Sequence, residues 1–182
     1  VHPLFVSVLR QKSQHDVLWV GRTVKRKGLD WLIENKEHWS FPWQWSGDEY
    51  FGDNSVAEIA KSLPSVPAGR GVVEMADLFS KTSVVLCPYL DEGFGMVVAE
   101  AAASGCRVVA FGQGGVVESG RAEHVTLVPP GDVVAFNDAV CAALAAGPVS
   151  QDGRTQAASL YSPENSVLAY RSHLRRRLDV LK

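Results

Sequence analysis

The chain has 182 residues, with 18 Lys and Arg against 20 Asp and Glu, a formal net charge of −2 at pH 7. Hydrophobic residues make up 46% and charged residues 21%, which excludes a disordered chain and suits one α/β domain with a sizeable core. The charge balance excludes a broadly basic nucleic-acid binder, and no apolar run nears the roughly 20 residues that span a bilayer.

The chain opens VHPLFVSVLRQK, without a charged leader region or a small-residue cleavage site, so a cytoplasmic location is expected. DVLWV (Asp16–Val20) reads as a buried strand stopped by Gly21. In KGLDWLIENK, Leu29, Leu32 and Ile33 recur at helical spacing and form an inward stripe. WQWSG (Trp43–Gly47) reads as a second strand, with Trp43 and Trp45 on one core-facing side. Asn54 is expected to cap the helix SVAEIAKSL, whose inner face begins at Ala57. Pro64 to Gly71 is a loop, followed by GVV and a helix from Glu74 to about Lys81. SVVLCPYL (Ser83–Leu90) is a further buried strand, broken by Pro88, and a helix from Gly95 to Ser104 follows. Strand RVVAF (Arg107–Phe111), a short helix begun by GQGG, and strand HVTLV (His124–Val128) come next. Asp132 caps VVAFNDAVCAALAA, and a last helix runs from Pro163 to about Leu181.

Short strands separated by helices predict a parallel sheet covered on both faces, an α/β Rossmann-like fold. In such sheets the ligand sits beyond the carboxyl ends of the strands. The turns after Val20, Leu86 and Phe111 therefore share the functional edge, and they hold Gly21-Arg22, DEGFG and GQGG.

Glu100 stands inside the apolar run MVVAEAAAS, with no basic residue on its helix. A buried carboxylate without donors is costly, so it needs either backbone amides, as a structural group, or the hydroxyls of a ligand. Gly93-Phe94-Gly95 precedes that helix, where free N–H groups and the positive dipole end favour an anion. Glu92 and Glu100 then stand on either side of an anion site. At the same edge GRTVKRKG brings Arg22 and Lys27, a guanidinium and an ammonium suited to phosphate. Lys25 and Arg26 read as an ordinary solvated basic loop.

GRTVKRKG together with EGFGMVVAEAAASG resembles the donor-binding, C-terminal half of the GT-B retaining glycosyltransferases of group 4, with their G-R-x4-K-G and E-x7-E patterns. The resemblance runs from about Asp16 to Ala146 and includes the Gly47 turn, Pro88, GGVVES and LVPPGD; Arg107 stands where that family usually has Pro. It implies that Gly21, Arg22 and Lys27 hold a donor diphosphate. It further implies that Glu92 and the Phe94 and Gly95 amides face the sugar, with Gly93 in the same donor-binding turn, and that Glu100 accepts bonds from the ribose. The backbone from Arg70 to Val72 meets the base. Glu92, Arg22 and Lys27 are the implied catalytic set. The product keeps its anomeric configuration, and neither a metal nor another cofactor is expected, because the cations and helix dipole neutralise the leaving diphosphate.

The same resemblance implies a partner, an N-terminal acceptor domain that lies outside a single donor domain of residues 1–182. Acceptors in that family are often lipid-linked, which adds weak contact with an anionic inner-membrane face as an expectation. In the last helix Leu168, Leu174, Leu178 and Leu181 are read as an apolar stripe, beside Arg171, Arg175, Arg176 and Arg177 as a basic side. Three alternatives remain open. GQGG after RVVAF is a partial dinucleotide fingerprint whose third glycine would fall at Val117. A sugar-nucleotide epimerase also uses a GG-x-x-E segment, as in GGVVES, and a non-catalytic nucleotide-sugar module needs the same pocket. Cys87, Cys106 and Cys141 read as buried reduced thiols. His2, His15, His38, His124 and His173 lack metal-ligand spacing.

Overall fold

The computed structural model describes residues 1–7, 9–11, 13–48, 55–68 and 71–180. The side chains of Ala169 and residues 177–180 lie outside that description, as do the expected Asn54 cap and the Arg70 backbone. Five parallel strands form the sheet: β1 (His15–Val20), β2 (Gln44–Ser46), β3 (Thr82–Cys87), β4 (Arg107–Phe111) and β5 (Val125–Val128). Their order is β2-β1-β3-β4-β5, so the expected α/β Rossmann-like fold is present.

Side chains alternate across a strand, and here both faces are buried. Leu18, Val20, Val85, Cys87, Val108 and Ala110 belong to one core. Val17, Trp19, Val84, Leu86, Val109 and Phe111 belong to the other. The first core is closed by α1 (Pro3–Ser7), α4 (Val72–Ser80), α5 (Met96–Ala103) and α8 (Gln151–Leu160). The second is closed by α2 (Leu29–Glu34), α3 (Ser55–Ala60) and α7 (Val133–Ala145). A short α6 (Val116–Ser119) follows β4, and α9 (Pro163–Val180) ends the described chain.

Several expectations are corrected. β3 stops at Cys87, not Leu90, because Pro88 has no N–H to continue the ladder; Tyr89 N instead donates to Cys87 O at 2.8 Å. α4 starts at Val72, two residues early, behind Gly71 at φ 134°. Trp43 and Trp45 pack against the second core as expected but are only half-buried, because β2 is the sheet edge. Cys87 and Cys106 are buried, whereas Cys141 is half-exposed on α7. Leu168 and Leu174 do not share a stripe, since six residues at 100° each place them about 120° apart. By the same geometry Arg171 and Arg175 are neighbours, while Arg176 points about 100° further round. All three arginines are exposed, and Arg177, Leu178 and Leu181 fall outside the described side chains. No described helix is long and apolar enough to cross a membrane.

Candidate functional site

In this strand order the chain leaves β1 to one side for β2 and returns to the other side for β3. The gap between their carboxyl ends is the topological switch point. The loop after β1 and the loop after β3 meet there. Leu90 N donates to Arg26 O at 2.8 Å, and Arg26 Nη1 donates to Asp91 O at 3.3 Å. Gly28 has φ 68°, and a Cβ on it would stand 2.1 Å from Pro88 O; no other residue type lets these loops touch.

Lys27 is carried by a 3₁₀ turn, Lys25–Lys27, and is only 9% exposed. Its Nζ donates to Glu92 Oε2 and lies 4.0 Å from the centre of the Tyr89 ring. Arg26 Nη1 stands 3.8 Å from the same carboxylate oxygen, so Arg26 is part of this cluster rather than a purely solvated charge. The Lys27 backbone is fixed as well, since the buried Trp19 Nε1 donates to Lys27 O at 3.1 Å.

Gly21, Arg22 and Lys27 line one cleft of about 250 Å³, together with Ser46, Met75 and Val97. Arg22 is exposed at its lip. Gly21 N donates to Ser46 O at 3.1 Å, which ties the β1 exit to the β2 exit. A concavity of about 430 Å³ lies at the opposite edge, lined by Arg10, Asp16, Ser83 and Gly105. It sits at the amino ends of the strands, away from these loops.

α5 begins behind Gly95, which is left-handed at φ 87° and ψ 56° and gives no side-chain cap. The first-turn N–H groups of α5 therefore have no intrahelical partner. The β4 loop presses on this turn: Gly115 N donates to Glu92 O at 3.0 Å, and a Cβ on Gly115 would meet Gly93 O at 1.9 Å. Phe94 faces another way, into a concavity shared with Arg121 and Tyr170. Glu100 lies three residues after the cleft-lining Val97 on α5 but does not itself line the cleft. It is half-buried, and among the described residues no hydrogen bond or ion pair to its carboxylate is formed. Burial raises its pKa above the ordinary value, partly offset by the chain's amino terminus. Val72, the first residue of α4, is exposed and does not line the cleft.

The structure thus joins Gly21, Arg22, Lys27 and Glu92, with Gly93 and Gly95 at the next turn. Val72, Glu92, Gly93, Phe94, Gly95 and Glu100 do not line that cleft, and Glu92 is joined to it through Lys27. Sequence reasoning missed Tyr89, Met75 and the cleft role of Val97. Val97 had a usable signal, its i, i+3 relation to Glu100. Tyr89 read only as the tail of a strand. No group of three His, Cys, Asp or Glu side chains that could hold a metal occurs among the described residues.

Solved structures with this fold include sucrose-phosphate synthase from Thermosynechococcus elongatus, 24% identical with a TM-score of 0.69, over 94% of this chain and 47% of that one. A variant of S. aureus TarM, solved with fondaparinux, alpha-GlcNAc-glycerol and UDP, is 16% identical with a TM-score of 0.70, over 92% and 37%. A glycosyltransferase from Rickettsia africae is 18% identical with a TM-score of 0.65, over 93% and 49%. The chain spans about half or less of each of these proteins, and at such identities the likeness shows the fold alone. No curated protein matches the sequence. The model of the family described as glycosyl transferases group 1 matches residues 14–146, most of the chain. The chain belongs to the group 1 glycosyl transferase family.

Proposed function

We propose that this chain is the donor-binding half of a retaining glycosyltransferase of group 4, and that its ligand is a nucleoside-diphosphate sugar. The observation that carries the reading is the meeting of Gly21, Arg22, Lys27 and Glu92 where β1 and β3 diverge. Two cations and the uncapped start of α5 offer countercharge to a diphosphate without a metal. Glu92, and Glu100 without a partner among the described residues, offer acceptors to hydroxyls. The UDP in the TarM complex belongs to that protein and supports a nucleotide ligand here by analogy of fold.

In this proposal the bond from the sugar's anomeric carbon to the diphosphate breaks as the acceptor bonds from the same face, so configuration is retained. The acceptor domain is supplied by a partner segment or chain. Contact with anionic lipid is narrowed to the exposed neighbours Arg171 and Arg175.

Titration calorimetry with UDP, GDP and ADP and the three nucleosides tests the donor site. One diphosphate binding more tightly than its nucleoside is the expected result, and none doing so rejects it. Donor hydrolysis with and without an N-terminal acceptor domain separates transferase from a silent binding module. Release of an epimer of the donor sugar instead would point to the epimerase reading.

A further inference from the structure

We propose that Tyr89 is a positioning residue of this site, holding the Lys27 ammonium and the β1 exit at a fixed separation. The inference rests on the donor-site reading. Tyr89 is fully buried, yet it touches three separate pieces of the site. Its O–H donates to Val20 O at 2.9 Å, the last carbonyl of β1, directly before Gly21 and Arg22. Its ring lies 4.0 Å below Lys27 Nζ. Its carbonyl accepts from Gln113 Nε2 at 2.8 Å, which ties in the loop after β4.

A core position asks only for apolar volume, and a hydroxyl buried there is costly unless bonded. Here the bond runs to the strand end that carries Arg22, not to a neighbouring turn. Burial, then the neighbouring Cys87 and Glu92, raise the Tyr89 pKa well above its ordinary value, so the group stays a neutral donor. The ring face attracts the ammonium without neutralising it, as a carboxylate does. When a phosphate draws the charge of Lys27 away from Glu92, the ring keeps the ammonium in place and leaves its charge available. Glu92 is then free to accept from hydroxyls. Tyr89 acts through Lys27 and Val20 and needs no contact with the ligand.

The test compares Tyr89→Leu, which removes ring and hydroxyl, with Tyr89→Phe, which keeps the ring and loses only the bond to Val20. Calorimetry with UDP, GDP and ADP and their nucleosides reads the ratio of diphosphate to nucleoside affinity. Tyr89→Leu is expected to lower that ratio about tenfold, on the scale of a desolvated cation–ring contact. Tyr89→Phe is expected to lower it about threefold through the lost hydrogen bond. In a Lys27→Ala chain, Tyr89→Leu is expected to lower the ratio only about threefold, the share of the lost Val20 bond, because the ring's share acts through Lys27 and is already gone. Lower melting temperatures with an unchanged ratio in both variants would overturn the proposal and leave a packing residue. The same loss with and without Lys27 would also overturn it. If Tyr89→Leu does not fold, the Tyr89→Phe ratio decides alone. A parent chain that binds none of the three diphosphates rejects the donor site and this inference together. A binding parent with indifferent Tyr89 variants rejects this inference only.

Discussion

The Lys27 ammonium meets the Glu92 carboxylate across the gap between two strand exits, 65 residues apart along the chain. Both side chains are largely withdrawn from water, at 11% and 17% exposure. Removing one charge from such a pair leaves the other poorly compensated. Glu92→Gln is therefore expected to destabilise the fold by about 1–3 kcal/mol, and adding Lys27→Met is expected to recover most of that loss. Urea unfolding of the parent, both single variants and the double variant measures the coupling; four equal midpoints would mean that the pair is solvated and contributes nothing.

Arg22→Ala and Lys27→Ala should each weaken nucleoside-diphosphate binding while sparing the nucleoside. A charge-assisted hydrogen bond contributes about 1.5–3 kcal/mol, so the loss should be roughly tenfold to a hundredfold. Salt should weaken the parent more than either variant, because screening removes what the variants already lack. Calorimetry at two ionic strengths reads both effects, and equal affinities in parent and variants would remove these residues from the site.

Glu100 carries a prediction with a pH signature. In the window from its ordinary value of 4.5 up to its raised folded value, the folded protein holds a proton that the unfolded chain has released. Stability therefore falls as pH rises through that window. Glu100→Gln removes the half-buried charge, so at pH 7 it should melt no earlier than the parent. That advantage should vanish below about pH 4.5. Nucleotide affinity should fall at the same time, because the charged acceptor is gone. A variant that melts early and binds normally once folded would make Glu100 a structural carboxylate.

Gly115→Ala separates loop position from fold. Gly115 has an ordinary φ of −69°, so the constraint is contact, with Gly93 O at 1.9 Å from the added carbon. Overpacking of this kind costs about 1–3 kcal/mol. The expected outcome is a folded domain with a displaced Gly93–Gly95 turn and at least about tenfold weaker binding of a nucleotide sugar, on the scale of that overpacking energy. Circular dichroism and calorimetry on one preparation check it, and unchanged affinity would place the ligand elsewhere.

The lipid proposal has its own measurement. Sedimentation with anionic vesicles should show weak, salt-sensitive pelleting of about 1 kcal/mol per basic residue, reduced when Arg171 and Arg175 become Gln. Equal pelleting on neutral vesicles would leave α9 as a solvated helix.

Most of the sheet was readable because its central strands are apolar runs ended by Gly or Pro, such as Asp16–Val20 before Gly21, although β2 (Gln44–Ser46) is short and polar. The site loops were readable because cations and glycines cluster where those runs stop. α8 was missed because QDGRTQAASL has Gly153 inside it and buries only Gly153 and Ala157, too little for an apolar stripe. It exists because Ser150 Oγ accepts from Gly153 N at 3.0 Å and because α8 packs on α5. The bond between Lys27 and Glu92 was invisible for another reason. Each residue was placed at the correct edge, but which groups touch depends on Gly28 lying against Pro88, a tertiary fact with no local periodicity.

The central pairing of the sheet joins His15 to Thr82, so most of the chain's first half must be looped out before β1 and β3 meet. Loop closure precedes any return from such non-local contacts, which makes parallel topologies slow to fold. Lys27 and Glu92 lie just beyond this seam and find each other only once it has zipped. The Lys27–Glu92 pair and the cleft beside it therefore require the β1–β3 pairing, and a chain on the ribosome that still lacks β3 is expected to present these cations without Glu92.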